Sequence, residues 1–279
     1  MKKGINIGSF AGGMSSNECI MLAKRTGFDG IELGLNETGE LSLESTEKEL
    51  VKIRSFAEDQ GIELPSLTTG LYWSYSLTSN DKEVRNKAMD VVKKQLETAS
   101  ILGADTILVV PGAVGVDFIP DSEVVEYDVA YEYSLEALSK LKNDVESIGI
   151  NIGLENVWNK FLLSPLEMRE FIDKIGSKYI GIYLDVGNVV YSGYPEHWVK
   201  IMGERIKKVH LKDYRREVGS IAGFVDLLAG DVDYPKVVNE LNKVGYCGYL
   251  TAEMIPPYKY YPEQIIFNTY HSMSRIIGK

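Results

Sequence analysis

The stretch GINIGLEN, residues 149–156, holds in eight residues the unit that decides the fold. An amphipathic run ends at a glycine, and a short apolar run follows at once. The unit returns at Gly27 before FDGIELG, Gly61 before IELPSL and Gly103 before ADTILVV. It returns again at Gly176 before SKYIGIYLD, Gly203 before ERIKKVHL and Gly245 before YCGYLTAE, making seven in all. A glycine just past a helix accepts the left-handed conformation without a Cβ clash, so the following residues can start a strand. The runs are short and rich in Ile, Leu and Val, as strands buried on both faces of a parallel sheet require. With an opening strand from Gly4 to Phe10 the count is eight.

Helical stretches lie between the strands. Ser15-x-x-Glu18, Asn80-x-x-Glu83 and Ser164-Pro165-x-Glu167 read as capped N-termini, and Asp81 to Leu102 as one long amphipathic helix. Eight strands alternating with helices, and no linker or low-complexity segment, predict a single (β/α)8 TIM barrel spanning residues 1–279 as one domain. An open doubly wound sheet is the competitor, but it would call for a phosphate-binding glycine fingerprint after the first strand, which is missing.

Composition excludes several classes. The 279 residues carry 40 acidic and 30 basic side chains, a net charge of −10, which argues against nucleic acid as a partner. No apolar run approaches the roughly 18 residues of a membrane span, so no membrane partner is expected. The N-terminal glycines and polar residues interrupt any secretory apolar core. Two cysteines, Cys19 and Cys247, give no disulfide framework and fit a cytoplasmic location.

In such barrels chemistry gathers where the strands end. Strand 5 ends in Glu155-Asn156, strand 6 in Asp185, strand 7 in His210 with Lys212, and strand 8 in Glu253. Taken singly, each reads as a polar cap. Four consecutive strands ending this way point instead to one shared mouth. Two glutamates, an aspartate and an imidazole suit a divalent cation of the Mn²⁺, Mg²⁺ or Co²⁺ kind better than a sulfur-ligated zinc.

The segments GFDGIELG, GADTILVVPG, LENVWNKF, LDVGN, VHLKD and LTAEM resemble the xylose-isomerase-like barrel superfamily of sugar isomerases and epimerases. The chain is most similar to its D-tagatose 3-epimerase and ketose-phosphate 3-epimerase branch. The resemblance implies a metal, Mn²⁺ foremost, held by Glu155, Asp185, His210 and Glu253, with Glu155 and Glu253 as the acid/base pair. It implies a substrate contact from Arg216, six residues past His210. The free-sugar epimerases carry a histidine where this chain has Asn188, and a further glutamate where it runs through Phe161, Leu162 and Leu163.

The reaction so implied is inversion at C3 of a ketose, free or phosphorylated, through a cis-enediolate. Aldose–ketose isomerisation of a sugar phosphate and dehydration of an inosose-type ketone are the alternatives, and a non-catalytic sugar-binding barrel is another. A trinuclear-zinc endonuclease of the same superfamily would need more than the three histidines present. Lys212, Arg215 and Arg216 stand where a phosphate would be met, whereas Lys207 and Lys208 precede the strand and face solvent at its far end. Trp73, with Tyr72 and Tyr75, and Trp158 are candidates for stacking on a sugar, and packing under loops is their other use. Residues 217–231 are a candidate lid, and His197 and His271 read as structural. A homodimer or homotetramer is the expected assembly.

Overall fold

Each of the first five long helices is stopped by a glycine with positive φ, and the chain re-enters the barrel within a few residues. The computed structural model describes residues 1–255 and 258–278. Its α1 (Ser16–Thr26), α2 (Glu47–Gln60), α3 (Lys82–Leu102), α4 (Tyr127–Ile148) and α5 (Pro165–Ile175) end at Gly27, Gly61, Gly103, Gly149 and Gly176, all left-handed. After these come a short α6 (Val186–Val190), then α7 (Pro195–Met202), α8 (Tyr234–Lys243) and α9 (Gln264–Ile277). The unit is looser at its last two members. Gly203 opens a 3-10 turn with ψ −126°, and α8 is capped by Val244, one residue before Gly245.

The strands are β1 (Lys2–Asn6), β2 (Gly30–Leu35), β3 (Ser66–Thr69), β4 (Thr106–Val109), β5 (Asn151–Glu155), β6 (Ile180–Asp185), β7 (Ile206–Leu211) and β8 (Tyr249–Ala252). All eight are parallel and form a closed barrel in chain order, with β8 sealed against β1 from Lys2–Tyr249 to Ile5–Ala252. The predicted barrel is therefore the observed one. A ribbon of Asp213–Tyr214 against Phe224–Val225 rises from the end of β7.

Local signals account for most element starts. Ser15 and Glu18 close a reciprocal capping box on α1, and Ser164 accepts from the Glu167 amide ahead of Pro165. The start of α3 lies one residue later than the Asn80 pattern predicts. Asp81 accepts from the Glu83 amide, while the Asn80 side chain donates to the Val124 carbonyl across a loop. The first strand is also shorter than predicted, because the Asn6 side chain accepts from the Gly8 amide and turns Ile7–Ser9 into a 3-10 coil.

The core lies in two shells, inside the barrel and between strands and helices. α5 buries Met168, Phe171, Ile172 and Ile175 on one face, the 3.6-residue periodicity of a helix packed on a sheet. Among the described residues no helix is long and apolar enough to cross a membrane.

Candidate active site

Glu155 and Asp185 are the last residues of β5 and β6, His210 is the penultimate residue of β7, and Glu253 directly follows β8. Asp185 and His210 are register partners. Adjacent parallel strands thus deliver all four side chains to one spot, where one donor atom from each lies within 4.8 Å of the others. His210 Nδ1 is 2.9 Å from Glu253 Oε2 and 3.9 Å from both Glu155 Oε1 and Asp185 Oδ2.

These atoms have the character of metal ligands. Asp185 Oδ2, His210 Nδ1 and Glu253 Oε2 are buried, and none makes a hydrogen bond of sound geometry. Buried polar atoms left so are costly, and three converging on one point need a common partner. The other Asp185 oxygen is already engaged, accepting at 2.8 Å from the Asn188 amide that opens α6. Three carboxylates and one imidazole fit a divalent metal.

Glu32, in the middle of β2, is the functional residue that strand-end reasoning passes over. It is fully buried inside the barrel, and its Oε1 lies 2.8 Å from His210 Nε2. A carboxylate only accepts, so Nε2 carries a proton toward Glu32 and leaves Nδ1, which faces Glu253, as the nitrogen that a metal would take once its own proton is displaced. Asn6 Nδ2 and Ser66 Oγ each donate to Glu32 at 2.6 Å, and the Tyr183 hydroxyl donates at 2.5 Å. Burial alone would raise the Glu32 pKa, but His210, Ser66 and Tyr183 outweigh it and hold the carboxyl below its usual range. The signal in the sequence is an acid flanked by Ile31 and Leu33 in a strand otherwise apolar.

Lys212, on the exit from β7, reaches into the same cluster. Its Nζ is 2.7 Å from Glu253 Oε2, 2.8 Å from Asp185 Oδ2 and 4.0 Å from Glu155 Oε1. Burial disfavours its charge, but Asp185, Glu253 and Glu155 hold its pKa above the ordinary lysine value. Burial likewise opposes charge on His210, yet Glu32 and Glu253 push the imidazole well above its ordinary range. The two glutamates part company. Burial raises the Glu155 pKa, whereas for Glu253 the opposing pull of Lys212 and His210 wins and holds it well below.

Above the cluster opens a cleft of about 340 Å³. Glu155, Glu253, Asn188, Lys212, Trp73 and Trp158 all line it. Asn188 donates to the Asn156 carbonyl at 3.1 Å and reaches Glu155 Oε1 at 3.5 Å. Trp158 donates to the Asn188 carbonyl and stacks obliquely on Phe224, and Trp73 meets Phe118 edge-on at 5.2 Å. Tyr72 instead turns into the core to donate to Gln95, and Tyr75 donates to Glu37.

Arg216 is not brought to the cleft. The ribbon after β7 carries it outward, where its amide donates to Asp231, its guanidinium donates to the Gly193 carbonyl and its plane lies over Tyr194. Lys207 and Lys208 lie inside β7 near its opening end, not before the strand, and Lys208 is buried where solvent exposure is expected, because Asp105 pairs with it at 2.8 Å. From residues 217–231, Ile221 and Phe224 reach the cleft. Asp213 anchors this segment by accepting from the Leu228 and Val232 amides. His197 and His271 lie on α7 and α9, exposed and away from the cluster.

Comparison with known proteins agrees with this geometry. The chain is 26% identical over 266 residues to the putative L-ribulose-5-phosphate 3-epimerase SgbU of Escherichia coli K12, covering 90% of this chain and 87% of that one. A crystal structure of D-psicose 3-epimerase in the presence of D-fructose superposes with a TM-score of 0.82 at 18% identity, covering 100% of both chains. A crystal structure of IolI with a bound zinc atom gives 0.80 at 18% identity, covering 100% of this chain and 98% of that one. These two likenesses speak to the fold. Residues 20–268 match the family described as the xylose isomerase-like TIM barrel, and the chain belongs to that family.

Proposed function

We propose that the chain is a divalent-metal-dependent ketose 3-epimerase that uses Glu155 and Glu253 as its acid/base pair. The observation that carries this reading is the meeting of two glutamates, from strands separated by β6 and β7, at the floor of one cleft. The ketose 3-epimerases among the chain's relatives support it.

The four donors fit a divalent cation, for which Mn²⁺ is the proposed choice; when bound, it would supply Lewis-acid charge that makes a C–H beside a ketose carbonyl acidic. Epimerisation then needs one carboxylate to remove the C3 proton and a second carboxyl to return a proton to the opposite face. Glu155 and Glu253 take these parts, exchanging them in the reverse direction. Asn188, within reach of Glu155 Oε1, steadies that carboxyl. Lys212 and Asn188 offer the cleft's donors to sugar oxygens, and Trp73 and Trp158 offer flat apolar faces to sugar C–H groups. The work place proposed is the cytoplasm, and the assembly a homodimer or homotetramer.

The test is to incubate the purified, Mn²⁺-loaded chain with ketopentoses and ketohexoses in D₂O, remove the metal and record proton NMR spectra. Deuterium at C3 with accumulation of the 3-epimer is the expected result. Glu155→Gln and Glu253→Gln should each lower kcat by about 10²–10⁴-fold. Label at C1 or C2 with an aldose product would make the enzyme an isomerase, and a metal-loaded chain that exchanges no ketose proton would overturn the reading.

A further inference from the structure

A group that binds the same atoms as a metal must give way when the metal binds. Lys212 is such a group. Its ammonium lies 2.7 and 2.8 Å from Glu253 Oε2 and Asp185 Oδ2. Both are atoms that have no other sound hydrogen bond, and both residues belong to the four-residue donor set. Nor is this a surface side chain that has wandered inward. Lys212 is 5% exposed. Its stem packs so closely on α6 that a Cβ at Gly187 would fall 2.4 Å from Lys212 Cβ. The glycine leaves the channel through which the side chain is aimed.

The geometry points to Lys212 as a resident counter-cation of the metal site: its ammonium holds the Asp185 and Glu253 oxygens that a divalent cation would take, so metal binds by exchange against it. This rests on the metal-binding part of the function proposed above and is independent of which sugar reaction follows. Two consequences arise from Coulomb's law in a buried site. Without metal, the ammonium separates carboxylates that otherwise repel. With metal arriving, the same ammonium competes, and affinity is lower than the donor set alone would give.

Lys212→Met removes the charge and keeps the length of the stem. Against wild type, its metal-free Tm should fall, its Mn²⁺ dissociation constant by calorimetry should drop by at least about tenfold, and the rise in Tm on adding Mn²⁺ should widen. Lys212→Arg should shift affinity the other way, because a guanidinium grips carboxylates through a two-pronged fork. An unchanged or weaker Mn²⁺ affinity in Lys212→Met would overturn the exchange and leave Lys212 a prop for the ligands. Should the variants fail to fold, the wild-type chain still decides. The buried Lys212 ammonium signal in ¹H–¹⁵N spectra should shift or vanish on adding diamagnetic Zn²⁺, and a signal that stays put overturns the proposal. A wild-type chain that binds neither Mn²⁺ nor Zn²⁺ would overturn the metal site, and the exchange with it.

Discussion

Glu32 shows what one buried carboxylate does for a site it does not enter. It fixes the proton of His210 on Nε2, and three further donors fix Glu32 itself. Replacing it by Gln leaves an acceptor but removes the charge that makes the imidazole a strong ligand. Glu32→Gln should therefore weaken Mn²⁺ binding by about 10–100-fold, measured by calorimetry, while the far-ultraviolet circular dichroism stays that of the wild type. An unchanged dissociation constant would remove Glu32 from the metal site. The two cysteines offer a simpler check on burial at the same scale. Burial pushes the Cys19 thiol up to about 12, with Glu18 and Glu40 adding to the rise, so almost no thiolate exists at neutral pH. Cys247 is exposed. A thiol reagent should find one cysteine in the native chain and two in guanidinium; two fast thiols in the native state would contradict the packing of α1.

Elements were legible wherever a local signal and the global pattern agree. Gly149 ends α4 and Ser164 opens α5 as their sequences predict, because capping is settled within four residues of chain. The four donor residues were legible for a related reason, since a polar residue at the end of an apolar run has a place assigned by the barrel itself. Glu32 was not, because its partners Asn6, Ser66, Tyr183 and His210 come from four other strands, up to 178 residues away. The outward position of Arg216 is not legible either, because it follows from the ribbon, whose two-residue strands are too short to leave any period in the sequence. Asn80 lost its capping role to Asp81 through a loop contact with Val124 that no local rule foresees. Packing of α5 can be tested directly. Phe171 is fully buried and meets Tyr131 edge-on at 5.1 Å. Phe171→Ala should cost about 3–5 kcal/mol in denaturant unfolding, and a loss below about 1 kcal/mol would mean that α5 is held by something other than this face.

At the scale of the whole molecule, charge selects what the cleft admits. The chain carries a net −10, and among the described residues Lys212 is the one cation on the cleft wall. That cation sits among the metal donors, against Asp185 and Glu253. Arg216 points to Gly193 and Tyr194, and Arg215 donates to the Ala229 carbonyl, so neither arginine answers a charge inside. The remaining walls are aromatic or amide-bearing, with Trp73, Phe118, Asn36 and Asn188 among them. A phosphoryl dianion would enter this space and find, among the described residues, no cation on the walls beyond those of the metal site. Neutral hydroxyls need none, since amide groups answer them. For the proposed epimerase, kcat/KM for a free ketose should thus exceed that for the same ketose 5- or 6-phosphate by at least about tenfold at low salt. The measurement is a paired assay on one ketose with and without its phosphate. A preference for the phosphate would require a cation to reach the cleft, and the natural suspect would be Arg216, swung inward from Tyr194 by movement of residues 217–231. Arg216→Ala would then lower kcat/KM for the phosphate alone, whereas in the arrangement seen here it leaves both substrates nearly unaffected.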